Sequence, residues 1–215
     1  MPPELALHED VLANGAAVSL PGQPRMMLVM HGSITIADRV LRDDEAWSGE
    51  AAITFKAGPE GAAIWRWELT DGNAAGAATG PGVGSRQKLS ARLDTLPKGA
   101  LVLRGDSVAF PPGGCAYLHR HQGPGIRCLV EGGFRIDSAG HSTSYAPGGA
   151  WYENGPEPVF AQAADRPTRF VRVMLLPRSY LGKSSVEYLR EEDRAKPKSQ
   201  TYKIYVDMPI GFVGS

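Results

Sequence analysis

His119 and His121, in the run Pro111-Pro-Gly-Gly-Cys-Ala-Tyr-Leu-His-Arg-His121, are the residues whose type and spacing best suit chemistry. Side chains two positions apart share a face on a β-strand, where the side-chain period is two. Neutral imidazoles side by side can offer two nitrogens to one metal ion. A Pro/Gly turn precedes the pair and the apolar run Ile126 to Val130 follows it. The pattern points to a divalent ion (Fe, Mn, Ni or Zn) held on a strand, and leaves the substrate open. The two cysteines, Cys115 and Cys128, have no metal-type CxxC spacing and read as reduced, buried thiols.

The elements that position this pair occur twice. Met27-Leu-Val-Met-His-Gly-Ser-Ile-Thr-Ile36 matches Arg127-Cys-Leu-Val-Glu-Gly-Gly-Phe-Arg-Ile136, with Gly32 and Gly132 lying 100 residues apart. Trp47 then matches Trp151, and Ile64-Trp-Arg-Trp-Glu-Leu69 matches Phe170-Val-Arg-Val-Met-Leu175, with Arg66 opposite Arg172. Three matches in order predict a duplicated unit, with boundaries at 1–85 and 86–215. The first copy serves as an internal control. It has Ser19 opposite His119 and Pro21 opposite His121, so it lacks the pair. Residues present only in the second copy are the better functional candidates: Glu153, Tyr152 and Arg127, opposite Gly49, Ser48 and Met27. Glu153 would complete a set of two histidines and one carboxylate, which leaves positions on the ion open. Arg127 could pin a substrate carboxylate with two parallel bonds.

Short apolar runs with turn punctuation predict strands at 101–104, 106–110, 116–121, 127–130, 134–136, 150–152, 159–161 and 169–176. Gly 26 and Pro 17 suit many tight turns. The Gly-rich stretch 71–84 reads as a long mobile loop between the units, Ser184 to Arg194 as a short helix, and Thr201 to Val206 as a tail strand able to close a sheet edge. His31 and His141 read as surface residues. The expected fold is all-β.

Pro112-Gly-Gly, then His119 and His121, then Val130-Glu-Gly132, followed by Ala146-Pro-Gly-Gly-Ala-Trp151 and Pro156-Glu-Pro158, resemble the two motif regions of the cupin superfamily. The resemblance implies double-stranded β-helix (jelly-roll) barrels and, with two matching units, a bicupin with a degenerate first repeat. It also marks two departures. The glutamate that cupins carry after the histidine pair falls at Pro124, between Gly123 and Gly125, and their further histidine falls near Val159.

Formal net charge is +0, with 42% hydrophobic and 21% charged residues. That balance argues against nucleic acid or a membrane surface as partner. No basic and apolar leader opens the sequence, so a cytoplasmic location is expected. Two functions follow. One is a mononuclear-metal enzyme of dioxygenase type acting on a small organic molecule, with isomerase or lyase chemistry open to the same fold. The other is a non-catalytic small-ligand binder with a decayed metal site. The apolar, alternating tail from Thr201 to Ile210 predicts a homodimer, or else a tail folded back on its own barrel.

Overall fold

The computed structural model describes residues 2–72 and 76–214. The chain divides into two compact units, Met1–Asp94 with Ile210–Phe212, and Thr95–Pro209 with Val213–Ser215. The first unit holds β1 (Glu4–Leu12), β2 (Ala17–Leu20), β3 (Arg25–Ile36), β4 (Arg39–Arg42), β5 (Ala46–Gly49), β6 (Ile53–Thr70) and β7 (Val83–Arg92). The second holds β8 (Gly99–Phe110), β9 (Cys115–His121), β10 (Gly125–Glu131), β11 (Phe134–Ser138), β12 (His141–Tyr145), β13 (Ala150–Glu153), β14 (Val159–Ala163), β15 (Thr168–Pro177), β16 (Val186–Tyr188) and the start of β17 (Thr201–Gly214). The α-helix among the described residues is α1 (Glu191–Ala195), and no described helix is long and apolar enough to cross a membrane.

The second unit is a pair of five-stranded sheets, ordered β13-β10-β15-β8-β17 and β12-β11-β14-β9-β16. Each sheet turns apolar side chains inward, and Val108, Phe110, Leu129, Phe134, Trp151 and Phe170 make one core. The aromatic rings of Phe134 and Phe170 lie 5.2 Å apart. The first unit repeats the connectivity with longer strands. The path β5-β3-β6-β1-β7 corresponds to β13-β10-β15-β8-β17, and β3 and β6 each run unbroken where the second unit divides them in two. One side of its interior is an apolar cluster built on Leu12, Val18, Val29, Phe55 and Ile64. Ser19 faces outward, sharing a 2.8 Å hydrogen bond with Thr54.

Several expectations change. The boundary at 85/86 falls inside β7, which covers the edge of β1 with Arg86 opposite Glu9, so 86–92 stay with the first unit. The stretch 71–84 joins β6 to β7 within that unit and is not a connection between units. Its residues 73–75 lie outside the described residues, Ala78 is buried, and the Gly76 carbonyl accepts a bond from Arg66. The helix expected over 184–194 is confined to Glu191–Ala195. Residues 186–188 instead form β16, with Val186 opposite His121 and Tyr188 opposite His119. The expected strands 101–104 and 106–110 are one strand, continuous through Gly105. β12 had no sequence signal because four of its five residues are exposed, which erases alternation. β17 lies beside β8 of its own chain and ends the sheet.

Gly32 and Gly132 mark the same bend, at φ of +80° and +87°. A Cβ at Gly132 would stand 2.5 Å from the Pro167 carbonyl oxygen and 2.6 Å from the Thr168 Cα, so both conformation and space demand glycine. Gly132→Ala is expected to destabilise the protein by about 2–4 kcal/mol, read from its urea unfolding midpoint. A loss under about 1 kcal/mol would mean that the bend relaxes and that its glycine is not structural.

Candidate metal centre

β9 sets the two histidines on its inner face, where both are buried. Their Nε2 atoms face each other at 3.3 Å. His119 Nδ1 lies 2.7 Å from the Tyr117 carbonyl oxygen. A carbonyl only accepts, so Nδ1 carries the proton and Nε2 presents a bare lone pair. Burial is the main cause that lowers both histidine pKa values. For His119 it outweighs Glu153 and the Tyr117 carbonyl. For His121 the neighbouring Arg127, Arg172 and His119 add to it and hold the ring well below the ordinary 6.5. Both imidazoles are therefore neutral near pH 7, the state in which they bind metal.

Glu153 reaches the same place from β13, which pairs with β10 so that Glu153 stands opposite Gly125. Its Oε1 accepts a 2.8 Å bond from Trp151 Nε1. Its Oε2 lies 3.4 Å from His121 Nε2 and 2.9 Å from Arg127 Nη2. Since His121 is neutral, Arg127 is the ionic partner. Arg127 is itself buried at 1% exposure, donates a 2.6 Å bond to the Gly125 carbonyl, and has its pKa lowered to about 10, chiefly by burial. It is still charged near pH 7. Tyr152 lies on the opposite face of β13 from Trp151 and Glu153. Its hydroxyl donates to Asn154 Oδ1 at 3.0 Å, and it does not line the inner cavity, so it leaves the candidate set.

The sequence reading missed two residues here. Arg172 on β15 and Asp106 on β8 stand directly opposite, joined by bonds of 2.7 and 3.2 Å, and both are buried. The signal was present: the repeat aligns Arg172 with Arg66, and Arg66 is also buried against an aspartate of the neighbouring strand, Asp10, at 2.7 Å. With neutral histidines, the fixed charges around the cavity are Arg127, Arg172, Glu153 and Asp106, which cancel.

The departures from the cupin pattern fall at Pro124, between two tightly packed glycines, and at Val159. A Cβ at Gly123 would meet the Leu175 carbonyl at 1.9 Å, and one at Gly125 would meet that of Val173 at 2.4 Å, so β10 begins too close to β15 for a longer side chain at either glycine. The carboxylate beside His121 belongs to Glu153, across the ladder from Gly125. Val159 stands opposite His119 on β14 and turns its apolar side chain into the cavity.

Two features fit a divalent cation. Ligands about 2.0–2.2 Å from one ion leave roughly 3.0–3.5 Å between themselves, which matches the Nε2 pair. The cavity that His119, His121, Arg127, Glu153 and Arg172 line has a volume of about 20 Å³, room for one ion or water. One feature limits the fit. Among the described residues, no group of three or more His, Cys, Asp or Glu side chains forms a ligand cluster, and Glu153 Oε2 lies nearer to Arg127 than to His121.

No protein-family model matches the chain, and no curated protein matches it. Among solved structures it is similar to oxalate decarboxylase from Bacillus subtilis, which has Mn(II) centres. The TM-score is 0.67 at 12% identity, over 93% of this chain and 81% of that one. It is also similar to AerE from Microcystis aeruginosa, with a TM-score of 0.59 at 13% identity, over 80% of this chain and 88% of that one. The fold is that of the cupins. At these identities the likeness extends to the jelly-roll architecture, and the site stands on its own geometry.

Arg172 balances the buried charge of Asp106 inside the second unit. Arg172→Met leaves Asp106 buried without its cation and is expected to cost about 3–5 kcal/mol. Arg172→Met with Asp106→Leu should recover most of that loss in chemical denaturation. Equal losses in the single and double variants would show that the pair itself is not what matters.

Proposed function

We propose that the second unit holds one divalent ion on His119 and His121, with Glu153 as the third arm, and that the protein is a cupin-type, metal-dependent enzyme of the dioxygenase kind. The observation that carries this reading is the 3.3 Å approach of two neutral Nε2 atoms, one of them locked in the ligating tautomer by the Tyr117 carbonyl. A bound ion of this class, whether Fe, Mn, Ni or Zn, supplies Lewis acidity or activates O2. Isomerase or lyase chemistry would use the same open positions. Arg127 lies against Glu153 Oε2 as its ionic partner, at 2.9 Å. The apolar walls from Val159, Phe134 and Phe170 exclude bulk water. Because the fixed charges cancel, a divalent ion leaves an excess of positive charge that an incoming anion relieves, so the substrate is a small organic anion.

A second reading, a non-catalytic ligand-binding cupin, is favoured by the hold of Arg127 on Glu153 and by Val159 at the place of a further histidine. Elemental analysis of protein purified without added metal separates the two. The enzyme reading expects close to one divalent ion per chain, lost in His119→Ala and in His121→Ala. It expects weaker retention in Glu153→Ala. Full metal content in both histidine variants would place the ion elsewhere, and a metal-free wild type would favour the binding module. Unchanged affinity in Glu153→Ala would remove only the third arm.

We also propose a homodimer through β17, which ends its sheet and leaves a backbone edge that a second copy can pair with. Light scattering should give twice the chain mass for the full-length protein and a monomer after deletion of residues 198–215. A full-length monomer at micromolar concentration would exclude the dimer.

A further inference from the structure

The inner cavity holds one water-sized group, so the body of any substrate must lie elsewhere. A second cavity of about 400 Å³ adjoins it, within the usual range for small-molecule sites. Four residues line both: Arg172, Val186, Gln200 and Tyr202. They form the partition between the two spaces. Most of the outer wall comes from the segment after the last barrel strand, residues 182–204.

That wall has the chemistry of an anion receptor with an apolar side. Gln200 is 8% exposed, and its amide donates to the hydroxyls of Tyr188 at 3.1 Å and Tyr202 at 3.2 Å. Those two phenols accept from the amide and keep their own O–H hydrogens for a further acceptor. Gln200 Oε1 is buried and has no hydrogen-bond partner. Arg104 and Arg172 are balanced by Asp207 and Asp106. Among the described residues no carboxylate pairs with Lys198. Its ammonium sits 4.1 Å over the Tyr188 ring and donates to backbone carbonyls, among them that of Lys196 at 2.8 Å. Carbonyls hold it in place without cancelling its charge. Val186 and the 60%-exposed Ile204 supply apolar surface.

We propose that this outer chamber is the specificity site of the protein and takes a small monocarboxylate with a flat or branched apolar body. The carboxylate is held by the Tyr188 and Tyr202 hydroxyls in the field of Lys198. The chamber rests on the metal reading only for what happens beyond the partition. Its binding property stands without a metal.

Calorimetric titration with sodium benzoate, and with benzyl alcohol as the uncharged control, tests this on the full-length protein as purified and after dialysis against EDTA. Saturable benzoate binding is expected in both preparations, at least about tenfold tighter than benzyl alcohol. Ile204→Trp, a change at an exposed position that fills the chamber, should abolish it. Lys198→Gln should weaken it about five- to tenfold. His119→Ala should leave it intact while removing metal. No benzoate binding in either preparation, or binding untouched by Ile204→Trp, overturns the chamber. Binding lost in His119→Ala and after EDTA but kept in Ile204→Trp would make benzoate a metal ligand, so that the chamber fails and the metal reading survives. Benzoate binding blocked by Ile204→Trp in a protein that never holds metal would leave the chamber standing and the metal reading refuted.

Discussion

A charge taken out of water needs its partner close by, and in the second unit that requirement governs every polar choice in the barrel. Arg172 is answered by Asp106 from the next strand, and Arg127 by Glu153 from the strand on its other side. Once those four charges cancel, the two histidines beside them have no carboxylate to spare for an imidazolium, and burial keeps them neutral. The Nε2 atoms of two neutral rings then meet at short range. The first unit obeys the same rule with different residues. There Arg66 joins Asp10 and Glu68, and Arg25 shares Glu68, so its buried charge is absorbed in a closed network.

The histidine pair was legible because the side-chain period of a strand is a local property, and five residues of context were enough to set His119 beside His121. The matching bends of the two units were legible for a related reason. Bends that need a left-handed glycine, such as Gly32 and Gly132, leave a mark that survives when the surrounding residues change. Glu153 could be placed on a strand, although its facing depended on pairing. Its position opposite Gly125 follows from a ladder that no local pattern encodes.

What could not be read was contributed by distant strands. Asp106 and Arg172 are 66 residues apart, and each alone looks like an ordinary strand charge. Val186 and Tyr188 sit in a stretch whose composition suits a helix, yet the open edge of β9 recruits them as β16. Tyr202 was legible as part of a tail strand, but nothing local sets it or Gln200 beside the cavity until β17 is laid beside β8. Tyr152 shows the opposite error. Its absence from the first repeat marked it as functional, while strand alternation turns it away from Glu153.

The size of the inner cavity has a consequence of its own. A space of about 20 Å³ takes one ion or one water and nothing wider. An ion seated there would fill the room alone, so a larger molecule would meet it only across the partition of Arg172, Val186, Gln200 and Tyr202. Those four side chains, and not the histidines, would then decide which groups come near.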